Sequence, residues 1–255
     1  MLNEDIIESL TGKRNLKKSR VPARLDFLQS ATGLVLALFI LFHLLFEGSI
    51  LFGKDAMYAL SKFFEGDFLV EGGSGLFIVL LAIFISLVFA MHAFLAMRKF
   101  PKKYREFLRY RTHAGMLKHE DTNLWFIQVS TGFMLFFLGS IHLYLMMTNP
   151  MNIGPYASSD RIYSDYAWIL YLMLLVSVVL HTMVGLYRLA MKWGWFDGTE
   201  PRKRRKLIKK IAKYATVFYL LIGIFSLTAY MKIGYEHKAQ YGQRYMPTQE
   251  LKDAN

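Results

Sequence analysis

The apolar residues of this chain gather in long blocks, spaced neither as one face of a helix nor at alternate strand positions. Five blocks come close to or exceed the ~20 residues that carry a helix across a bilayer. They predict spans over residues 25–51, 76–100, 124–148, 167–193 and 213–231. The second span ends where Pro101 follows Phe100, and the third where Asn149 and Pro150 follow Thr148, as helices do ahead of proline. The expected fold is an all-α membrane protein of five transmembrane helices, read as one integral membrane domain over 1–255. The fifth span is the shortest and holds no histidine, which predicts a peripheral place for it.

Composition fits this picture, with 54% hydrophobic and 16% aromatic residues, but charge refines it. A net charge of +12 would suit nucleic acid if it were spread over one face. Instead, 24 of the 31 lysines and arginines sit before the first span or in the stretches Arg98 to Lys118 and Arg188 to Lys213, at the ends of and between the second and third and the fourth and fifth spans. Under the positive-inside bias those segments are cytoplasmic, so the N-terminus is expected inside and the C-terminus outside, with no nucleic-acid partner. The first connection is acidic by contrast, carrying Asp55, Glu65, Asp67 and Glu71 on the outer side. The first twenty residues are polar and contain no short apolar core, so no cleaved signal peptide is expected. The chain has no cysteine, which excludes disulfides, iron–sulfur clusters ligated by this chain and covalent c-type haem.

Four histidines change the reading from architecture to chemistry. His43, His92, His142 and His181 each lie in a different apolar span, where an ionisable side chain is costly and usually faces a bundle interior or a functional group. At ~1.5 Å rise per residue, His43 and His142 both lie about 27 Å from the cytoplasmic ends of their spans, whereas His92 lies about 12 Å deep and His181 about 16 Å. The histidines thus form two levels of two, about 11–15 Å apart by the same arithmetic. A haem iron with two axial imidazoles needs one histidine from each of two facing helices. Depth therefore pairs His43 with His142 for an outer, distal haem and His92 with His181 for an inner, proximal one. A compact zinc or copper site needs ligands converging at one depth, which this pattern does not supply. A haem-free proton relay of histidines and acids, as in a transporter, is the rival from a different class. The remaining histidines, His113, His119 and His237, lie in polar segments and receive no role.

The first and third spans also echo one another. Gln29-x-x-Thr32-Gly33 precedes His43 by the same interval as Gln128-x-x-Thr131-Gly132 precedes His142. Gly33 and Gly132 could admit a flat macrocycle between helices. Close helix packing explains small residues at these positions equally well.

These residues, with SATG (30–33), HAFLAMRKFP (92–101), DTNLWFIQ (121–128) and GLYRLAMKWGWFDG (185–198), closely resemble one family: the dihaem cytochrome b subunits of quinol:fumarate reductases, within the succinate:quinone oxidoreductases. The resemblance covers roughly residues 5–235. It implies five transmembrane helices, four of them forming a dihaem-binding bundle, with two haems b on the histidine pairs already inferred from depth. It implies an iron–sulfur subunit and a flavoprotein with covalent FAD on the cytoplasmic side of a bacterial inner membrane, in a dimer of heterotrimers. This chain would then be the membrane anchor and menaquinol oxidase of anaerobic respiration, and fumarate chemistry would belong to a partner. Electrons would run from menaquinol near the outer face through the distal and proximal haems to the iron–sulfur clusters, FAD and fumarate. The same chain would serve a succinate:menaquinone reductase equally well.

The resemblance further implies that Gln29, Ser30, Trp125 and Lys192 bind the proximal haem propionates, and that Glu65 accepts a quinol proton on the outer side. Amide, hydroxyl, indole and ammonium donors suit carboxylates, and a quinol that gives up two electrons also gives up two protons. In one respect the chain departs from the family. Dihaem fumarate reductases of this kind often carry a glutamate, proposed to lie on a transmembrane proton path, two residues before the fourth-span histidine. Here that residue is Val179, which cannot relay protons. Glu47, four residues after His43 on the same helical face, could tune the distal haem or accept a quinol proton, although an acid facing the headgroups is the simpler reading.

Overall fold

The computed structural model describes residues 20–100, 103–116, 120–196 and 198–247. Lys13, Arg14, Lys17, Lys18, Lys102, Lys118 and His119 lie outside the described residues, as does the polar leader segment up to residue 19. Among the described residues the chain is helical and has no strand. Its helices are α1 (Val21–Glu47), α2 (Lys54–Phe64), α3 (Gly75–Met97), α4 (Tyr104–Met116), α5 (Glu120–Thr148), α6 (Pro155–Tyr163), α7 (Trp168–Lys192) and α8 (Pro201–His237). Short 3₁₀ turns at Gly48–Phe52 and Lys238–Gln240 extend α1 and α8.

Five of these helices (α1, α3, α5, α7 and α8) are long and apolar enough to cross a membrane. Four of them close a ring: α1 packs on α3, α3 on α5, α5 on α7 and α7 back on α1. Their outward faces are apolar and exposed, as at Phe42, Leu87 and Phe137. That is the surface of a chain whose outer solvent is hydrocarbon, where backbone groups must bond within their own helix.

Three structural features depart from the expected spans. The polar connections contain helices of their own (α2, α4 and α6). Their charged residues hid a helical tendency that carries no block of apolar residues. The fifth span is the longest helix of the chain, at 37 residues. At ~1.5 Å per residue that is about 55 Å, well beyond a hydrocarbon core of ~30 Å. Pro201 opens it at a first-turn position, and strong helix formers from Arg202 to Lys213 keep it going through the charged stretch. Finally, α8 is not merely peripheral. It stands outside the ring of four, yet it packs along α7 and α6, and its Ser226 and Tyr230 reach the central cavity.

The two ends of the bundle differ in chemistry. At one end Lys192 and Lys99 meet Asp26, while Lys209 (2.8 Å) and the Tyr187 hydroxyl (3.2 Å) meet Asp121. At the other end the acids hold the chain termini of the helices together. Asp160 joins α6 to His237 at the end of α8, and the Tyr245 hydroxyl donates to Asp55 across 2.5 Å. Burial first, then that hydrogen bond, push the Tyr245 phenol up to about 12, so it remains a donor at any ordinary pH.

Candidate functional site

Inside the ring of four helices runs a cavity of about 890 Å³. It is lined from Gln29, Ser30 and Lys192 at the basic end to Glu47, Ser61 and Tyr230 at the other. All four intramembrane histidines line it. The structure brings them together as two pairs on facing helices. The ring centres of His43 and His142 lie 6.1 Å apart, and those of His92 and His181 lie 6.4 Å apart. Two imidazoles sharing one metal ion, each at a metal–nitrogen bond of ~2.0–2.1 Å, hold their ring centres about 6.3 Å apart. Both pairs match that spacing.

The second nitrogen of each inner histidine is engaged. His92 Nδ1 lies 3.1 Å from the Gln29 carbonyl oxygen and 3.3 Å from Thr32 Oγ1. His181 Nδ1 lies 2.9 Å from the Gln128 carbonyl oxygen and 3.4 Å from Thr131 Oγ1. A carbonyl only accepts, so Nδ1 carries the proton and the Nε2 lone pair is free for a metal, the usual arrangement of a ligating histidine. In the outer pair, by contrast, His142 Nδ1 is buried with no hydrogen-bond partner, and the edge of Tyr171 packs against its ring at 5.7 Å.

The glycines of the echoed motif serve these imidazoles. A Cβ on Gly33 would stand 2.8 Å from His92 Cε1, and one on Gly132 would stand 3.1 Å from His181 Cε1. The nearest side chain to each glycine is thus a histidine ring of a neighbouring helix, and both glycines line the cavity.

The four residues matched to propionate binding, Gln29, Ser30, Trp125 and Lys192, all line the basic end of the cavity. Lys192 donates to Ser30 Oγ at 2.8 Å and pairs with Asp26 at 2.5 Å. Asp26 escaped the sequence reading, although one acid among so many cations at a span end is a signal. The side-chain oxygen of Gln29 is buried without a partner, so the cavity presents an unanswered amide at this end. Among the described residues no group of three or more histidine, cysteine or acidic side chains converges as a metal site. The histidines offer two nitrogens per metal, which suits an ion whose other ligands come from a macrocycle.

Residues 102–223 match the family described as succinate dehydrogenase/fumarate reductase transmembrane subunit. The chain is 52% identical over 237 residues to the fumarate reductase cytochrome b subunit of Wolinella succinogenes, covering 92% of this chain and 93% of that one. It is 48% identical over 240 residues to the protein of the same description from Helicobacter pylori, covering 93% of this chain and 92% of the relative. The chain belongs to the family of fumarate reductase cytochrome b subunits. It is therefore a transmembrane electron-transport subunit of an oxidoreductase complex, and a cytochrome b implies haem. The histidine pairs, the spacing of their rings and the unanswered amide fit that cofactor.

At the acidic end of this cytochrome b, Glu65 is buried, 3% exposed, just after α2. Its carboxylate accepts from Lys62 Nζ at 2.9 Å, and the same ammonium donates to the Gly72 carbonyl at 2.9 Å. Burial opposes the charge on Lys62, but the hydrogen bond and ion pair with Glu65 outweigh it and raise its pKa. Gly73, at φ +74°, brings the returning chain against Glu65, where a Cβ would meet the glutamate Cβ at 2.6 Å. The neighbouring Ser61 and Phe64 line the cavity beside it.

Glu47 does not face the headgroups. It lines the cavity one turn beyond His43 and accepts from the Tyr230 hydroxyl at 3.1 Å, because α8 closes over α1 at this level. Arg161 also lines the outer half. It donates to the Tyr171 hydroxyl at 3.3 Å and to the Asn152 carbonyl. The sequence reading passed over it, yet a single arginine in a connection otherwise poor in cations was the available sign. Val179, fully buried, packs with Leu44, Leu175 and Met183 in a dry cluster on the α8 side of α7.

Proposed function

We propose that this chain is the dihaem subunit that oxidises menaquinol near the outer face of a bacterial inner membrane and delivers the electrons to the basic face. There an iron–sulfur subunit and an FAD-bearing flavoprotein would reduce fumarate, in a dimer of such heterotrimers. The observation that carries this reading is the double pairing. In a fumarate reductase cytochrome b, two histidine pairs with metal-sized gaps lie one above the other in a single cavity. Bound haem b supplies a one-electron carrier at each level. His43 with His142 and His92 with His181 would hold the two haems, and the carbonyls beside His92 and His181 sustain the basicity of the inner pair.

At the basic end Ser30, Trp125 and Lys192 offer donors to propionates, and the unpartnered amide of Gln29 offers its NH₂ once it is turned about its last bond. Asp26 keeps Lys192 and Lys99 gathered at that end. On the outer side Glu65, bonded to the Lys62 ammonium, takes a proton from the quinol hydroxyl. The lysine- and arginine-rich ends of α3, α7 and α8 support a cytoplasmic N-terminus and docking face and an outer C-terminus.

A pyridine haemochrome assay on the purified complex tests the reading. Two haems b per chain are expected, falling to one in His142→Ala and in His181→Ala, with a different spectral component lost in each. A haem-free, folded complex with intact histidines would move them to the proton-relay reading.

A further inference from the structure

We propose that each copy of the Gln-x-x-Thr-Gly motif is a seat for the histidine of the neighbouring helix, and that the two seats together hold the inner pair of imidazoles perpendicular. The inference rests on the reading of His92 and His181 as ligands of one haem. It assigns the motif to the orientation of those rings.

The two seats match atom for atom. Thr32 Oγ1 donates back to the Leu28 (2.9 Å) and Gln29 (3.1 Å) carbonyls of its own helix, so its lone pair is left facing His92 Nδ1. Thr131 Oγ1 does the same to Ile127 (2.6 Å) and Gln128 (3.2 Å), facing His181 Nδ1. In each seat the carbonyl of the glutamine keeps a second lone pair beyond its helical bond and offers it to the same nitrogen. Two acceptors and no donor face Nδ1, which fixes the tautomer. The glycine one residue on supplies the floor: a methyl group at Gly33 or Gly132 would occupy the position of the ring edge. A ring whose Nδ1–Cε1 edge is both hydrogen-bonded to a helix and packed against that helix's glycine has lost its freedom to turn about χ2.

The two seats lie on different helices, α1 and α5, and grip rings from α3 and α7. The result is an interplanar angle of 90° for the inner pair. The outer pair stands at 51°, and its His142 Nδ1 has no partner at all. The motif therefore serves one level only, although each copy stands ten residues before a histidine of the other level. Perpendicular axial imidazoles leave the two iron dπ orbitals nearly degenerate, which produces a strongly anisotropic low-spin ferric EPR signal. The inner haem should give that signal, and the outer haem a less anisotropic one.

Low-temperature EPR of the oxidised complex, with haem content measured alongside, tests this. The wild type should show two low-spin signals. Gly33→Ala, with the shorter contact, should abolish or shift the more anisotropic one and spare the other. Gly132→Ala should shift the same signal less. Thr32→Val should move it and Thr32→Ser should restore it, which keeps the test open if the alanine variants fail to assemble. If two haems are present and the Thr32 and Gly33 variants leave both signals unchanged, or alter only the less anisotropic one, the seat is overturned while the dihaem reading stands. A wild-type complex without haem would instead overturn the dihaem reading itself.

Discussion

A carboxylate that accepts a proton from a quinol must lie where the quinol hydroxyl can reach it. Glu65 bonds the Lys62 ammonium, which also touches the Gly72 carbonyl. The glutamate is buried directly behind Ser61 and Phe64, which line the outer part of the cavity, without lining the cavity itself. Glu65→Gln keeps the size and most of the hydrogen bonding while removing the base. Quinol oxidation by the purified complex should then fall by about 10²–10⁴-fold, the usual contribution of a positioned general base, with haem content and reduced spectrum unchanged. A steady-state assay with a soluble menaquinol analogue reads this directly. A rate within two-fold of wild type would move the role to another group, with Glu47, which lines the cavity, the next candidate. The sequence could name Glu65 only through the family, because an acid in an outer loop carries no sign of burial. Glu47 was visible as an acid one turn beyond His43, but which way it faced depended on Tyr230, 183 residues away.

At the scale of helices, what could be read from the sequence was whatever depends on local pattern. Apolar blocks located the spans, and rise per residue placed His43 level with His142 and His92 near the level of His181, because a transmembrane helix converts position along the chain into depth. The motif echo was equally visible, but its meaning was not. Gln29, Thr32 and Gly33 act on His92, and no pattern within α1 reveals which helix will pack there. The charged start of α8 was lost for a related reason, since an apolar window ends where lysines begin although the helix does not. His237 is the sharpest such case. Placed in a polar tail by sequence, it is buried at the end of α8, stacked on Tyr156 at 3.8 Å and bonded to Asp160 at 3.1 Å. The other carboxylate oxygen of Asp160 accepts from the Gly242 backbone at 2.9 Å. One acid thus ties α6, α8 and the segment after α8 together. Asp160→Ala should leave the buried His237 imidazole without its acceptor, at a cost of about 1–3 kcal/mol, while the exposed Gly242 N–H can turn to water. The expected outcome is a lower thermal midpoint of the detergent-solubilised complex and faster proteolytic loss of the segment beyond residue 240, with the inner haem signal intact. An unchanged midpoint would show that the three elements are held by apolar packing alone.

Under the proposed function the two ends of the molecule would carry different halves of one reaction, and charge would have to cross between them. Quinol protons would be released at the acidic end, and fumarate reduction would consume protons beyond the basic end. If no proton follows the electrons through the protein, each turnover moves two charges across the membrane. Against an inside-negative potential this costs about 2.3 kcal/mol per charge per 100 mV. Val179 bears on this because it fills the position where the family often has a glutamate. It lies fully buried among Leu44, Leu175 and Met183, and its own side chain cannot pass a proton. Fumarate reduction by a menaquinol analogue in proteoliposomes should therefore generate a potential, negative on the fumarate side. The sign has a second consequence. A pre-imposed potential of that polarity, made with a potassium gradient and valinomycin, should slow fumarate reduction and accelerate succinate oxidation, because it drives electrons toward the outer face. A potential-sensitive dye and the two rates measured together decide the matter. Electroneutral turnover in both directions would show that protons cross by a route other than position 179. An electrogenic response of the expected sign would instead make succinate oxidation the direction that an energised membrane favours for this subunit.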